Sequence, residues 1–115
     1  MHELSLAHSV MDIVDAEMRK HPGSGLTGLT LSVGERAGVE LDTFTTAIRA
    51  VVKASAWPEA VPVINVVEAR AQCLGCGAVF HPEGPVAECP ECGSGACGVT
   101  AGMEFRVESL TITRP

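Results

Sequence analysis

Apolar residues recur every three or four positions in two stretches of the chain, Glu3–Lys20 and Leu41–Ala56. This spacing is typical of amphipathic helices, because it places the apolar side chains on one face. Asp42 is a candidate N-cap for the second helix, and Trp57-Pro58 marks its end. The residues that define the two apolar faces are Leu6, Val10, Ile13, Phe44, Ile48 and Val52.

Two other stretches, Leu29–Val33 and the segment from Met103 onward, alternate between apolar and polar residues, which is the period of a half-buried strand. Val61–Ala69 is predicted to be a further strand, and Pro62 places it at an edge or at its first residues. The strand–helix–strand part predicts a right-handed parallel crossover. The strands on either side of the cysteine-rich segment are expected to pair antiparallel. The sequence therefore predicts an α+β fold, with a three-stranded mixed sheet and two helices.

The cysteine-rich segment contains two Cys-x-x-Cys pairs, Cys73/Cys76 and Cys89/Cys92, with twelve residues between them. Two such turns facing each other place four thiolates in a tetrahedron, which is the arrangement of closed structural Zn²⁺ sites. Two disulfides or a redox dithiol are the alternatives, although a redox dithiol needs only one pair. Because the segment has few large apolar side chains, a metal ion must replace a core. The prediction is an inserted zinc-ribbon-like module with two knuckles over 71–98, while 1–70 and 99–115 form the α+β domain.

Charge and composition narrow the classes of function. The 115 residues carry a formal net charge of −6, and the segment 72–98 contains no Lys or Arg. Nucleic-acid binding depends on neutralising phosphates with basic side chains, so a nucleic-acid partner is not expected. The sequence has no apolar run near eighteen residues and no secretory leader pattern, which predicts neither a membrane span nor export. Five cysteines without such a leader indicate a reducing compartment and a cytoplasmic location.

The chain begins with Met1-His2-Glu3, and a histidine at position 2 has special chemistry. The terminal amine, the following amide nitrogen and the His2 imidazole can chelate one ion through fused rings. Amide-nitrogen ligation favours Ni²⁺ or Cu²⁺, which accept planar coordination. The alternative is that His2 is an ordinary surface residue.

Three motifs together resemble one family. Met1–Leu6, Val33-Gly34-Glu35-Arg36-Ala37-Gly38-Val39 and Cys89-Pro90-Glu91-Cys92-Gly93 follow the pattern of the HypA/HybF hydrogenase nickel incorporation family, although Ala37 stands where Ser is common. The resemblance implies a nickel metallochaperone, not an enzyme, for maturation of [NiFe] hydrogenase and in some organisms urease.

The resemblance also implies the sites and the partners. Exchangeable Ni²⁺ is expected at the N-terminal amine, the His2 side chain and nearby backbone nitrogens, with Glu3 beside them. Structural Zn²⁺ is expected at the two cysteine pairs, and the implied partners are the maturation GTPase HypB and the hydrogenase large subunit. The chain itself is expected to be a monomer or a weak homodimer. Two alternatives stay open: a zinc-ribbon interaction scaffold without a nickel role, and a redox enzyme that uses Cys73 and Cys76.

Overall fold

A computed structural model of the protein describes residues 2–115. Both predicted helices are present, and each ends two or three residues before its predicted end, as is common for frayed termini. Neither helix of the described residues has the length and apolarity needed to cross a bilayer. The elements are α1 (His2–Met18), β1 (Gly25–Gly34), α2 (Leu41–Lys53), β2 (Val61–Val67), β3 (Arg70–Cys73), β4 (Val79–Phe80), β5 (Cys97–Ala101) and β6 (Phe105–Thr113).

The strands form two three-stranded sheets, with the orders β2-β1-β6 and β4-β3-β5. The first sheet and the two helices confirm the predicted fold class. The expected pairing of β2 with β6 is wrong, because β1 lies between them. β1 lies at the centre of this sheet and is its most buried strand.

The chain groups into two compact units. The helical unit comprises the residues up to Ser32, Val39–Asn65 and Arg106–Pro115. Its core is built from one face of each helix and from the inward side chains of β1. Side chains of this size are the ones that gain most from burial, about 1.5–3 kcal/mol each. The core residues include Val10, Met11, Val14, Met18, Leu26, Leu29, Leu31, Phe44, Ile48 and Val52.

The cysteine unit comprises Val33–Gly38 and Val66–Phe105. Strand β3 is its centre and pairs antiparallel with both β4 and β5. Apart from Val33 and Pro82, the buried apolar residues of this unit are small: Ala69, Ala71, Cys73 and Cys89. The boundaries 71–98 for an independently folding module stay a prediction.

The N-terminus of α2 differs from the sequence expectation. Glu40, with the extended dihedrals φ −78° and ψ 108°, is the N-cap, so the assignment of Asp42 is wrong. The Glu40 carboxylate accepts a hydrogen bond from the Asp42 backbone N–H at 3.0 Å and another from the Thr43 hydroxyl at 3.2 Å. A glutamate side chain is long enough to turn back over the first helical turn, which satisfies an N–H that has no intrahelical acceptor.

Candidate metal centres

The two Cys-x-x-Cys pairs fold into the same local turn. In each turn the N–H of the glycine that follows the second cysteine donates to the carbonyl of the first, Gly77 to Cys73 at 3.0 Å and Gly93 to Cys89 at 2.8 Å. These glycines have φ values of +79° and +75°, a left-handed conformation that glycine adopts without a steric cost. The sequence pattern Cys-x-x-Cys-Gly therefore produces two equivalent knuckles.

The knuckles bring all four predicted thiols together, with every sulfur within 4.8 Å of the others. Cys73 Sγ lies 3.6 Å from Cys92 Sγ, and Cys76 Sγ lies 3.5 Å from Cys89 Sγ. A tetrahedron with Zn–S bonds of about 2.3 Å has edges of about 3.8 Å. The thiol donors and their spacing therefore fit Zn²⁺, which would add structural stability and no catalytic chemistry.

Thiols this close cannot all ionise without a cation between them. The Cys76 backbone N–H, 3.4 Å from Cys73 Sγ, is the main cause that lowers the pKa of Cys73 to about 6. The Ala78 N–H acts in the same direction at Cys76, but hydrogen bonds from Cys89 and Cys73 and desolvation outweigh it and raise that pKa to about 12. A divalent cation removes this conflict, because it stabilises every thiolate at once.

Cys97, the fifth cysteine, lies beside this cluster but outside it. It pairs across the strands with Cys73, and its thiol donates to the Ser94 carbonyl at 3.5 Å. Desolvation and the neighbouring Cys73 raise the pKa of the Cys97 thiol. The structure therefore does not place Cys97 among the four clustered sulfurs.

The second predicted centre lies at the start of α1, where the His2 side chain is 64% exposed and that of Glu3 only 13% exposed. Glu3 Oε2 lies 3.4 Å from His2 Nδ1 and accepts a hydrogen bond from the Glu40 backbone N–H at 3.2 Å. This N–H is the largest cause that lowers the pKa of Glu3. The terminal amine belongs to Met1, which lies outside the described residues.

Glu40 is a neighbour of this site that sequence reasoning missed. A capping residue could have been sought among the positions just before α2, where Glu40 directly precedes the helix. Its contact with Glu3 spans 37 positions, and nothing in the local pattern of either residue announces it.

Residues 1–112 match a family model described as "Hydrogenase/urease nickel incorporation, metallochaperone, hypA". The chain belongs to the HypA family. Members of this family are maturation factors that incorporate nickel, so the scaffold without a nickel role is set aside. The cluster of four cysteines has the donors and the spacing of a structural zinc site.

Similar proteins agree with this family. The "Hydrogenase maturation factor HypA" of Chlorobium limicola is 37% identical over 97% of each chain, and that of Parabacteroides distasonis is 32% identical over 99% of each. The "Solution structure of HypA protein" matches with a TM-score of 0.69 at 25% identity, covering 96% of this chain and 94% of that chain. The "Solution structure of the Ni metallochaperone HypA from Helicobacter pylori" matches with a TM-score of 0.67, covering 98% of each chain; at 23% identity it supports the shared fold alone.

Proposed function

We propose that this chain carries Ni²⁺ on His2 at its N-terminus and passes it to the hydrogenase maturation machinery, while Cys73, Cys76, Cys89 and Cys92 hold a structural Zn²⁺. The observation that carries the nickel assignment is the placement of His2 in the first turn of α1, exposed and next to a fixed Glu3. The protein then acts by ligand exchange and catalyses no reaction. Five cysteines, four of them proposed to hold zinc rather than to form disulfides, support a cytoplasmic location.

The start of a helix suits a nickel site made of nitrogen atoms. The first four N–H groups of an α-helix have no intrahelical acceptor, so the amides of His2 and Glu3 do not have to break a helical hydrogen bond to bind a metal. The imidazole is exposed enough to reach an ion in solution. An exposed nitrogen site of this kind suits cargo that has to be released.

Glu3 is better placed to position this site than to hold the ion. Its carboxylate is mostly buried, and one of its oxygens accepts the Glu40 N–H while facing the His2 ring. This contact joins the first turn of α1 to the N-terminus of α2. It keeps His2 in place although the residue lies next to the chain terminus.

The proposed recipients are the maturation GTPase HypB and the hydrogenase large subunit. A recipient has to approach the exposed imidazole closely. A shallow surface groove between the first turns of α1 and α2 offers a recipient a docking surface, and Leu4, which is 44% exposed, lies on its wall. The groove is lined by Leu4, Asp42, Thr43, Thr46 and Ala47.

Calorimetry with Ni²⁺ on protein without a tag tests the nickel site. We expect His2→Ala to abolish binding while the zinc content and the melting temperature stay unchanged, because an exposed imidazole adds little to the core. The matched control is His8→Ala, since His8 is exposed on the same helix and should be dispensable. If His2→Ala still binds nickel as the wild type does, other residues hold the ion and the proposal is wrong.

The free terminus gives a second test. One added N-terminal Gly turns the Met1 amine into an amide and moves His2 to third place, where it can still chelate Ni²⁺ in a different geometry. We therefore expect delivery, rather than binding, to be lost in hydrogenase maturation at limiting nickel. Equal maturation by the extended and the native chain would show that the free amine is not required.

A further inference from the structure

The segment Val33–Gly38 forms part of the cysteine unit, although it lies more than thirty positions before the first cysteine pair. Three successive backbone N–H groups fasten it there. Gly34 donates to the Glu104 carbonyl at 2.6 Å, Glu35 to Val67 at 2.8 Å and Arg36 to Gly102 at 2.7 Å. Backbone hydrogen bonds alone therefore attach this segment to the rest of the cysteine unit.

The side chains of Glu35 and Arg36 extend this attachment to the loop between the two knuckles. Glu35 accepts the Ala69 N–H at 3.3 Å with one oxygen, and its other oxygen lies 2.7 Å from His81 Nε2. Arg36 Nη2 donates to the Pro82 carbonyl at 3.1 Å and also to the Gly84 carbonyl. Two neighbouring residues thus contact the same loop at three positions, His81, Pro82 and Gly84.

His81 lies between two carboxylates. Its Nδ1 is 3.4 Å from Glu83 Oε1, on the opposite side of the ring from Glu35. Both ring nitrogens can act as donors only in the protonated imidazolium. The charged groups that contact the ring are Glu35 and Glu83. Arg36 lies nearby, because it donates to the carbonyl of the next residue, Pro82.

We propose that Glu35 and His81 form a pH-controlled latch that holds the loop between the cysteine pairs against the segment Val33–Gly38 in mildly acidic solution and loosens as the pH rises. Arg36 holds the same loop through hydrogen bonds to backbone carbonyls that do not involve the His81 ring. The latch determines how tightly the loop is held against the segment Val33–Gly38. It does not depend on nickel binding at His2. It gives the cysteine unit a response to pH that the family resemblance does not imply.

The directions of the two pKa shifts define the range in which the latch is closed. The hydrogen bond to Glu35 is the main cause that raises the pKa of His81, so this stabilisation is complete below the ordinary value of 6.5 and lost as pH rises through the higher folded value. The Ala69 N–H and then His81 lower the pKa of Glu35, so its contribution is complete above 4.5 and lost as pH falls through the lower folded value. The contact is fully formed between these limits.

Amide hydrogen exchange on the zinc-loaded full chain tests the latch. Rates measured from about pH 6 to about pH 8.5 are converted to protection factors, which removes the intrinsic base catalysis of exchange. We expect protection over 79–80, where β4 pairs with β3 directly before His81, to fall several-fold across this range in the wild type. In His81→Gln it should be low and independent of pH, while His21→Gln should behave as the wild type, because His21 pairs with Glu17 in the helical unit.

An NMR titration of the His81 ring tests the latch in the wild-type chain as well, where no substitution disturbs the fold. The wild-type ring should titrate above the ordinary histidine value, and Glu35→Gln should lower the midpoint, since the amide can still accept the Ala69 N–H but carries no charge. Constant protection over 79–80 in the wild type would overturn the latch. The same pH dependence in His81→Gln would also overturn it.

Discussion

The helical unit and the cysteine unit are stabilised in different ways. The helical unit encloses Phe44, Ile48, Leu29 and Leu31, each at most 1% exposed. The cysteine unit encloses mainly alanine and cysteine side chains, while Leu74 and Val86 are 78% and 70% exposed. Burial of large apolar side chains can therefore account for the first unit but not for the second.

The comparison shows what replaces a core when a segment has none. The strands of the second sheet are short, two residues in β4 and four in β3, so hydrogen bonds alone give little cooperative stability. The four clustered thiols and the attachment of Glu35 and Arg36 supply constraints that do not depend on apolar area. The stability of the cysteine unit should therefore depend on its metal ligands, whereas the stability of the helical unit should depend on the packing of its core.

Removal of one thiol is the largest expected perturbation. We expect Cys76→Ala to lose its zinc and to unfold the cysteine unit, because structural zinc contributes about 10–16 kcal/mol to modules of this size. Zinc analysis together with amide exchange should show fast exchange over 66–105 and retained protection in α1 and α2. Cys97→Ala is the matched control, since Cys97 lies outside the cluster and should keep the metal. Global unfolding of Cys76→Ala would show that both units share one source of stability.

A cavity in the helical core is the complementary test. Phe44 is fully buried, so Phe44→Ala should lower the free energy of unfolding of the helical unit by about 3–5 kcal/mol. Urea unfolding followed by helical circular dichroism measures this loss, and the zinc content should stay at the wild-type level. Ile13→Ala, at a side chain that is 55% exposed, should cost about 0.5 kcal/mol or less. Loss of zinc from folded Phe44→Ala would contradict the division of stability between the units.

The sequence predicted the parts of this molecule that depend on local pattern. The period of the apolar residues located both helices and the strands of the first sheet, and the Cys-x-x-Cys spacing identified the four clustered thiols. In each case the structural consequence lies within a few residues of its cause. The contact between the two knuckles is the exception, because the cysteine pairs are separated by twelve residues. Here the repeated Cys-x-x-Cys pattern was enough to predict that the two turns face each other.

The parts that the sequence did not predict depend on contacts between distant positions. The central place of β1 depends on how distant strands pair, which the local pattern of apolar residues does not reveal. Glu3 meets Glu40 across 37 positions, and Glu35 meets His81 across 46. A single polar residue in a loop, such as His81, carries no local signal of its partner.

The N-cap of α2 gives the smallest expected effect, and it tests the one assignment within a helix that the structure corrected. Glu40→Ala removes the acceptor of the Asp42 N–H and should lower the free energy of unfolding of the helical unit by about 0.5–2 kcal/mol. The Glu40 backbone N–H that binds Glu3 is unchanged, so nickel binding should persist. Glu59→Ala, the same change at an exposed turn position, should cost about 0.5 kcal/mol or less. A larger loss from Asp42→Ala than from Glu40→Ala would return the capping role to Asp42.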